Sequence, residues 1–187
     1  MKDDIKAALE ILQKGGVILY PTNTVWGLGC DACNENAVGR IMEITKQLNS
    51  ENLTALMENA ALLDRYVEEV PEIAFDLFEL SDKPLTIIFE GARGLAKNLI
   101  STKGNIGIGL TTEEFGKELI RRFKRPVVYT PAAISGNKIP ACFDEIDQQI
   151  IESVDYVVNY RQGDKTMQEL SSIIQLGRRG EIKVIRD

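Results

Sequence analysis

Apolar runs of four or five residues, most of them bounded by glycine or proline, alternate along this 187-residue chain with segments whose apolar residues recur at helical spacing. A run that short suits a strand buried in a sheet, and a segment of helical period suits a helix with one face to cover. One mixed sheet covered by helices satisfies both demands. Ile5, Ala8, Leu9 and Leu12 share a face of a first helix that Asp3 or Asp4 can cap and that Gly15 and Gly16 stop after Lys14. Val17-Ile18-Leu19-Tyr20 follows as a strand, and Pro21 ends its ladder because it has no N–H to donate. Asn34 can cap a second helix carrying Ala37, Val38, Ile41 and Ile44. Residues 53–57 read as a strand, and two short helices flank Pro71. Strands at 84–89 and 106–110 enclose a helix near 94–99, and Thr112 can cap a helix over 113–123. A strand at 126–130, a helix over 144–153 and strands at 155–158, 172–175 and 182–185 complete the order. No repeat, linker or low-complexity tract interrupts it, so 1–187 is expected to form a single domain.

Composition narrows the chemistry. The chain has no histidine, which removes every Ser-His, Cys-His and HExxH mechanism. Cys30 and Cys33 make one C-x-x-C, but with Cys142 alone remaining a four-ligand Cys/His zinc site cannot be completed. These cysteines are expected to be buried or half-buried thiols, and no metal site is expected. The apolar runs fall far below the roughly 20 residues of a membrane span. Met1-Lys2-Asp3-Asp4 leads into a charged helix rather than an apolar leader, so a cytoplasmic location away from membranes is expected. With a net charge of −6, RNA could be held only through a local basic patch. The visible cluster, Arg121, Arg122, Lys124 and Arg125, closes a helix, where cations favour the dipole whether or not they meet RNA.

The densest chemistry lies in Pro21-Thr22-Asn23-Thr24-Val25-Trp26-Gly27-Leu28-Gly29-Cys30. A strand stops at a proline, and hydroxyls, an aromatic ring and two glycines follow. Such residues suit a loop that wraps a small polar ligand, and they equally suit a tight turn. The chain has no phosphate loop of the G-x-x-x-x-G-K-[ST] type.

From Gly15 to Ala32, the run Gly-Gly-Val-Ile-Leu-Tyr-Pro-Thr-Asn-Thr-Val-Trp-Gly-Leu-Gly-Cys-Asp-Ala closely resembles the opening signature of the YrdC-like (Sua/YciO/YrdC) family. The resemblance continues in family order through Lys83-Pro84-Leu85-Thr86, Gly107-Ile108, Ile134-Ser135-Gly136 and Ser171-Ser172-Ile173-Ile174. It implies an α/β fold, a twisted mixed β-sheet with flanking helices around a concave pocket. It also implies threonylcarbamoyl-AMP synthesis from ATP, threonine and bicarbonate for tRNA modification, with no tightly bound cofactor. Magnesium can accompany the ATP, and some family members are credited with binding double-stranded RNA.

By the same resemblance Lys46 is the catalytic lysine, Thr22, Thr24, Ser171 and Ser172 border the substrate, and Lys46, Thr130, Ser135 and Arg186 border the nucleotide. Lys46 also suits a helix C-terminus, and Arg186 a solvated chain end. Four positions depart from the active pattern. Leu48 and Gly109 stand where active members carry arginines, and Pro131 and Ala133 stand where they carry a serine and an asparagine. The run at 53–57 resembles the divergent YciO branch. The expectation is a related protein with a remnant nucleotide- or RNA-binding pocket and weak synthase activity. A synthase with a rearranged site, or an interaction module that has dropped the chemistry, are the alternatives.

Overall fold

The computed structural model describes residues 1–166 and 169–187. In chain order the elements are α1 (Lys2–Gln13), β1 (Ile18–Tyr20), β2 (Gly27–Gly29), α2 (Glu35–Thr45), β3 (Thr54–Met57), α3 (Ile73–Leu80), β4 (Leu85–Phe89) and β5 (Ile106–Leu110). Then come α4 (Glu114–Phe123), β6 (Val127–Pro131), α5 (Gln148–Ser153), β7 (Tyr156–Val157), β8 (Ser172–Leu176) and β9 (Ile182–Arg186). Among the described residues, all nine strands join one mixed sheet in the order β7-β1-β2-β6-β3-β5-β4-β8-β9. Three pairs are parallel, namely β1 with β7, β3 with β5 and β4 with β8. The strands β1, β3 and β6 are almost wholly apolar and buried, as expected where helices cover a sheet. Helix α1 lays Ile5, Ala8 and Leu12 into the core and packs against α4.

Several local expectations are corrected. Asp4 does not cap α1. It lies inside the helix, 5% exposed, and its Oδ1 accepts from Tyr156 Oη (2.7 Å), Asn159 N (2.9 Å) and Asn159 Nδ2 (3.0 Å). The cap of α4 is Glu113 rather than Thr112, its carboxylate accepting from Gly116 N at 2.7 Å. No helix forms over 94–99, because Gly94 turns left-handed (φ 68°) and Ala96 N is drawn to Ala32 O at 2.9 Å. The helix over 144–153 splits into a 3-10 turn at Phe143–Glu145 and α5, since Asp147 stays extended to cap α5 through Gln149 N.

The largest omission is β2. Gly27-Leu28-Gly29 carries the composition of a turn yet forms the strand between β1 and β6. Its glycines serve close approach. A Cβ on Gly27 would sit 2.5 Å from the Tyr129 ring, and one on Gly29 2.6 Å from Tyr20 Cε1. By contrast, Asn34 caps α2 as expected, accepting from Ala37 N at 3.1 Å.

Two outcomes follow for stability. Gly27→Ala forces a methyl into the Tyr129 ring and is expected to cost about 1–3 kcal/mol in a urea titration. Asp4→Asn keeps an oxygen that can accept from Tyr156 and Asn159 but removes the charge that strengthens those bonds and sets an NH2 group against the N-terminal ammonium, and it is expected to cost about 1–2 kcal/mol at pH 7. Burial raises the Asp4 carboxyl, but the hydrogen bonds and the N-terminal ammonium outweigh it and leave it below 3.8. A depressed carboxyl stabilises the fold above its unfolded value and loses that share as pH falls through its folded value. The gap between wild type and Asp4→Asn should therefore close on acidification below 3.8.

Candidate functional site

The sheet face beyond β2 opens into a cavity of about 810 Å³, within the range of small-molecule sites. Its floor comes from β6, with Tyr129, Thr130 and Pro131, and one wall from Ile88 on β4 and Ile173 on β8. The loop after α2 contributes Gln47 and Ser50, and the loop after β6 contributes Ser135 and Gly136. The lining mixes apolar walls with hydroxyls and amides. Among the described residues its cations are Lys103 and Arg186, and its carboxylate is Glu51.

A β-bulge brings Arg186 to this wall. Ile173 faces Arg186 while Ile174 faces Val184, so Ile185 is the extra residue. The Arg186 guanidinium then donates to the Ser171 carbonyl from Nε (3.0 Å) and Nη2 (2.7 Å). Ser171 Oγ in turn lies 3.1 Å from Thr86 Oγ1.

Beside the cavity is a niche of about 20 Å³, room for one water. Thr22, Thr24, Leu56, Gly109, Tyr129 and Ser171 are among its walls, and Thr86, Tyr129 and Ser171 border both spaces. Thr22 Oγ1 accepts from Thr24 N (3.0 Å) and donates to Val25 O (2.8 Å). Thr24 Oγ1 donates to Tyr129 Oη at 2.8 Å. Burial pushes the Tyr129 phenol up to about 12, against the lowering effect of its threonine partners and Arg186. The phenol therefore keeps its proton at neutral pH. Behind the loop, Arg161 reaches Asp164 (2.8 Å), Glu113 (3.6 Å) and the Thr22 carbonyl (3.5 Å), which pins the threonines from outside.

The structure thus gathers Thr22, Thr24 and Ser171 at the niche and Thr130, Ser135, Ser171 and Arg186 at the cavity. Thr130 Oγ1 accepts from Gln47 Nε2 at 3.0 Å, and Ser135 N donates to Thr45 O at 2.7 Å. Two of the expected residues line neither space. Lys46 is the exposed left-handed C-cap of α2 (φ 54°), so its side chain leaves the helix at a turn. Ser172 is out of step, because the pleat gives Ser171, Ile173 and Gln175 to the cavity and turns Ser172 to the other face. Tyr129, Leu56, Thr86 and Gln47 were not singled out from the sequence. Thr86 stands inside a quoted family segment and Tyr129 beside Thr130 on the expected strand, whereas nothing in the local pattern marks Leu56 or Gln47. The three cysteines are free, and burial pushes the Cys30 and Cys33 thiols up. Among the described residues no three His, Cys, Asp or Glu side chains gather as a metal site, and no helix is long and apolar enough to cross a membrane.

The Sua5_yciO_yrdC family model, described as "Telomere recombination", matches residues 10–187. A threonylcarbamoyl-AMP synthase of Pseudoalteromonas translucida is 32% identical over 87% of this chain and 88% of its own length. Among solved structures, E. coli YciO superposes with a TM-score of 0.85 at 25% identity, covering 100% of this chain and 90% of that one. The Pyrococcus abyssi Sua5 structure complexed with L-threonine shares the fold, with a TM-score of 0.81 at 23% identity. This chain spans 50% of that longer protein while matching over 92% of its own length. With a family match across nearly its whole length, and relatives named as threonylcarbamoyl-AMP synthases, the chain belongs to the Sua5/YciO/YrdC family.

Proposed function

We propose that this protein is a divergent member of its family that still binds a nucleotide but makes threonylcarbamoyl-AMP slowly. The observation that carries the reading is the contrast between the two spaces. The cavity, at about 810 Å³, can hold ATP, whereas the niche beside it, lined by hydroxyls and by Tyr129 and Leu56, is about 20 Å³ and too small for an amino acid unless those side chains move. The family reaction joins threonine, bicarbonate and ATP and expels pyrophosphate. Charge develops at the α-phosphate, so the step needs cations and donors aimed there. Here Lys103 and Arg186 are the cations of the lining, and Arg186 already donates twice to the Ser171 carbonyl.

The substitutions act in the same direction. Leu48, at an arginine position of active members, is 100% exposed. An arginine at Gly109 would have to displace Leu56, whose Cδ2 lies 3.1 Å from the Cβ position. Each lost oxyanion-type donor costs about 2.7–4 kcal/mol, although such losses do not add. Magnesium, if it accompanies ATP, would be held by the phosphates, since no cluster of three ligating side chains occurs among the described residues. The open cavity favours a small-molecule protein over a pure interaction module, which would have no use for the space. In this reading residues 1–187 act as one cytoplasmic domain. RNA contact is weak, because of Lys46, Lys83 and Arg186 the second lies 3.8 Å from Glu169 and the third is engaged by Ser171.

The test is threonine- and bicarbonate-dependent pyrophosphate release from ATP, run beside the Pseudoalteromonas synthase. Turnover should be lower by about two orders of magnitude or more, and comparable turnover would defeat the reading. Leu48→Arg alone should recover little, because its partners remain missing. Leu56→Ala should lower the threonine KM by opening the niche. An unchanged KM in folded protein would put the amino acid elsewhere.

A further inference from the structure

The negative charge of this chain is not spread over it. Between residues 58 and 82 stand eight carboxylates and one cation, Arg65, a local balance of −7 against −6 for the whole chain. The remainder of the molecule is therefore close to neutral.

Helix α3 lies within this segment and is unusually apolar for a helix so lightly buried. Ala74 is its one buried residue, while Ile73 is 38%, Phe75 36% and Leu80 78% exposed. On a helical projection Glu72, Asp76 and Glu79 fall in one stripe, with Ile73 and Leu80 along one flank and Phe75 along the other. Among the described residues none of these three carboxylates has a cation within ion-pair distance.

The apolar flank continues onto the sheet. Ile73 Cγ2 lies 3.9 Å from the Cβ position of Gly180, in the turn that leads into β9. On β9, Ile182 faces Leu176 and Val184 faces Ile174, which turns both to the sheet face opposite the cavity, 47% and 63% exposed. Arg178, in the same turn, pairs with Glu68, Glu69 and Glu90 and ties the β8–β9 hairpin to the chain before α3. The face is thus held by ion pairs, with exposed apolar residues beside a carboxylate stripe.

We propose that this face of α3 and β9 is a docking surface for a basic amphipathic helix of a protein partner. The partner's apolar side would lie over Leu80, Ile73 and Val184, and its lysines or arginines would meet Glu72, Asp76 and Glu79. The charge selects the occupant. Uncompensated carboxylates repel nucleic acid and anionic lipid, and two copies meeting through this face would bring their stripes together. A cationic helix alone gains from both features. The proposal is independent of the cavity and of the chemistry assigned there.

The probes are two synthetic helical peptides with one leucine pattern, carrying lysine in one case and glutamate in the other at the polar positions. Anisotropy is read on the intact protein at physiological salt. The lysine peptide should bind and the glutamate peptide should not. Leu80→Ser with Val184→Ser should weaken the lysine peptide about tenfold or more, and so should Glu72→Lys with Glu79→Lys. All four positions are exposed, so the variants should keep the wild-type melting temperature and ATP binding. Binding of the lysine peptide unaffected by the leucine–valine pair would reduce the effect to diffuse charge and overturn the proposal. A concentration-dependent dimer in sedimentation velocity that disappears in that pair would overturn it in favour of a second copy.

Discussion

The packing of the Tyr129 ring over Gly27 is the contact on which the site depends. With 2.5 Å between that ring and a would-be Cβ, only glycine lets β2 lie this close to β6. This closeness allows β2 to join β1 to the rest of the sheet through the ladder to Pro131 and Thr130. It also carries the phenol to Thr24, so the loop after β1 is fastened to the central strand by a hydrogen bond buried on both sides. The same ring then forms a wall of the niche. One steric fit closes the sheet, orients the threonines and limits what can enter between them.

The opposite wall is built by the end of the chain. A bulge on β9 aligns Arg186 with Ile173, and its guanidinium holds the Ser171 carbonyl where β8 begins. Cavity and docking face therefore use opposite sides of the same two strands. The cavity takes Ile173 and Gln175 of β8, and the outer face takes Ile174 and Leu176 with Val184 and Ile182 of β9. The charge follows the same division, since the acidic segment from 58 to 82 supplies α3 on the far side while Lys103 and Arg186 lie at the cavity.

Much of the sheet was legible because burial on two faces leaves short apolar runs, and β1, β3, β5 and β6 lie within a residue or so of their sequence limits. Strand β2 was hidden because Gly27 answers to the Tyr129 ring of β6, far away in sequence, and Gly29 to the Tyr20 ring only once β1 and β2 pair. Asp4 and Glu113 show the same limit on smaller scale. An acidic residue at a helix start suggests a cap, but whether it caps or is buried under Tyr156 and Asn159 depends on residues 152 and 155 positions later. At the site, the family segments led to the threonines, Ser171 and Arg186. They could not reveal that Lys46 sits on a left-handed turn or that the pleat separates Ser171 from Ser172. Backbone geometry decides those two positions, and residue type alone does not encode it.

The central claim is that the nucleotide space survives while the recess beside it is too narrow for an amino acid. Isothermal titration of the intact protein with ATP, and separately with L-threonine in the presence and absence of ATP, tests it most directly. The account predicts a saturable heat for ATP and, for L-threonine under either condition, binding too weak to saturate. A saturable threonine isotherm in the wild-type protein would contradict it.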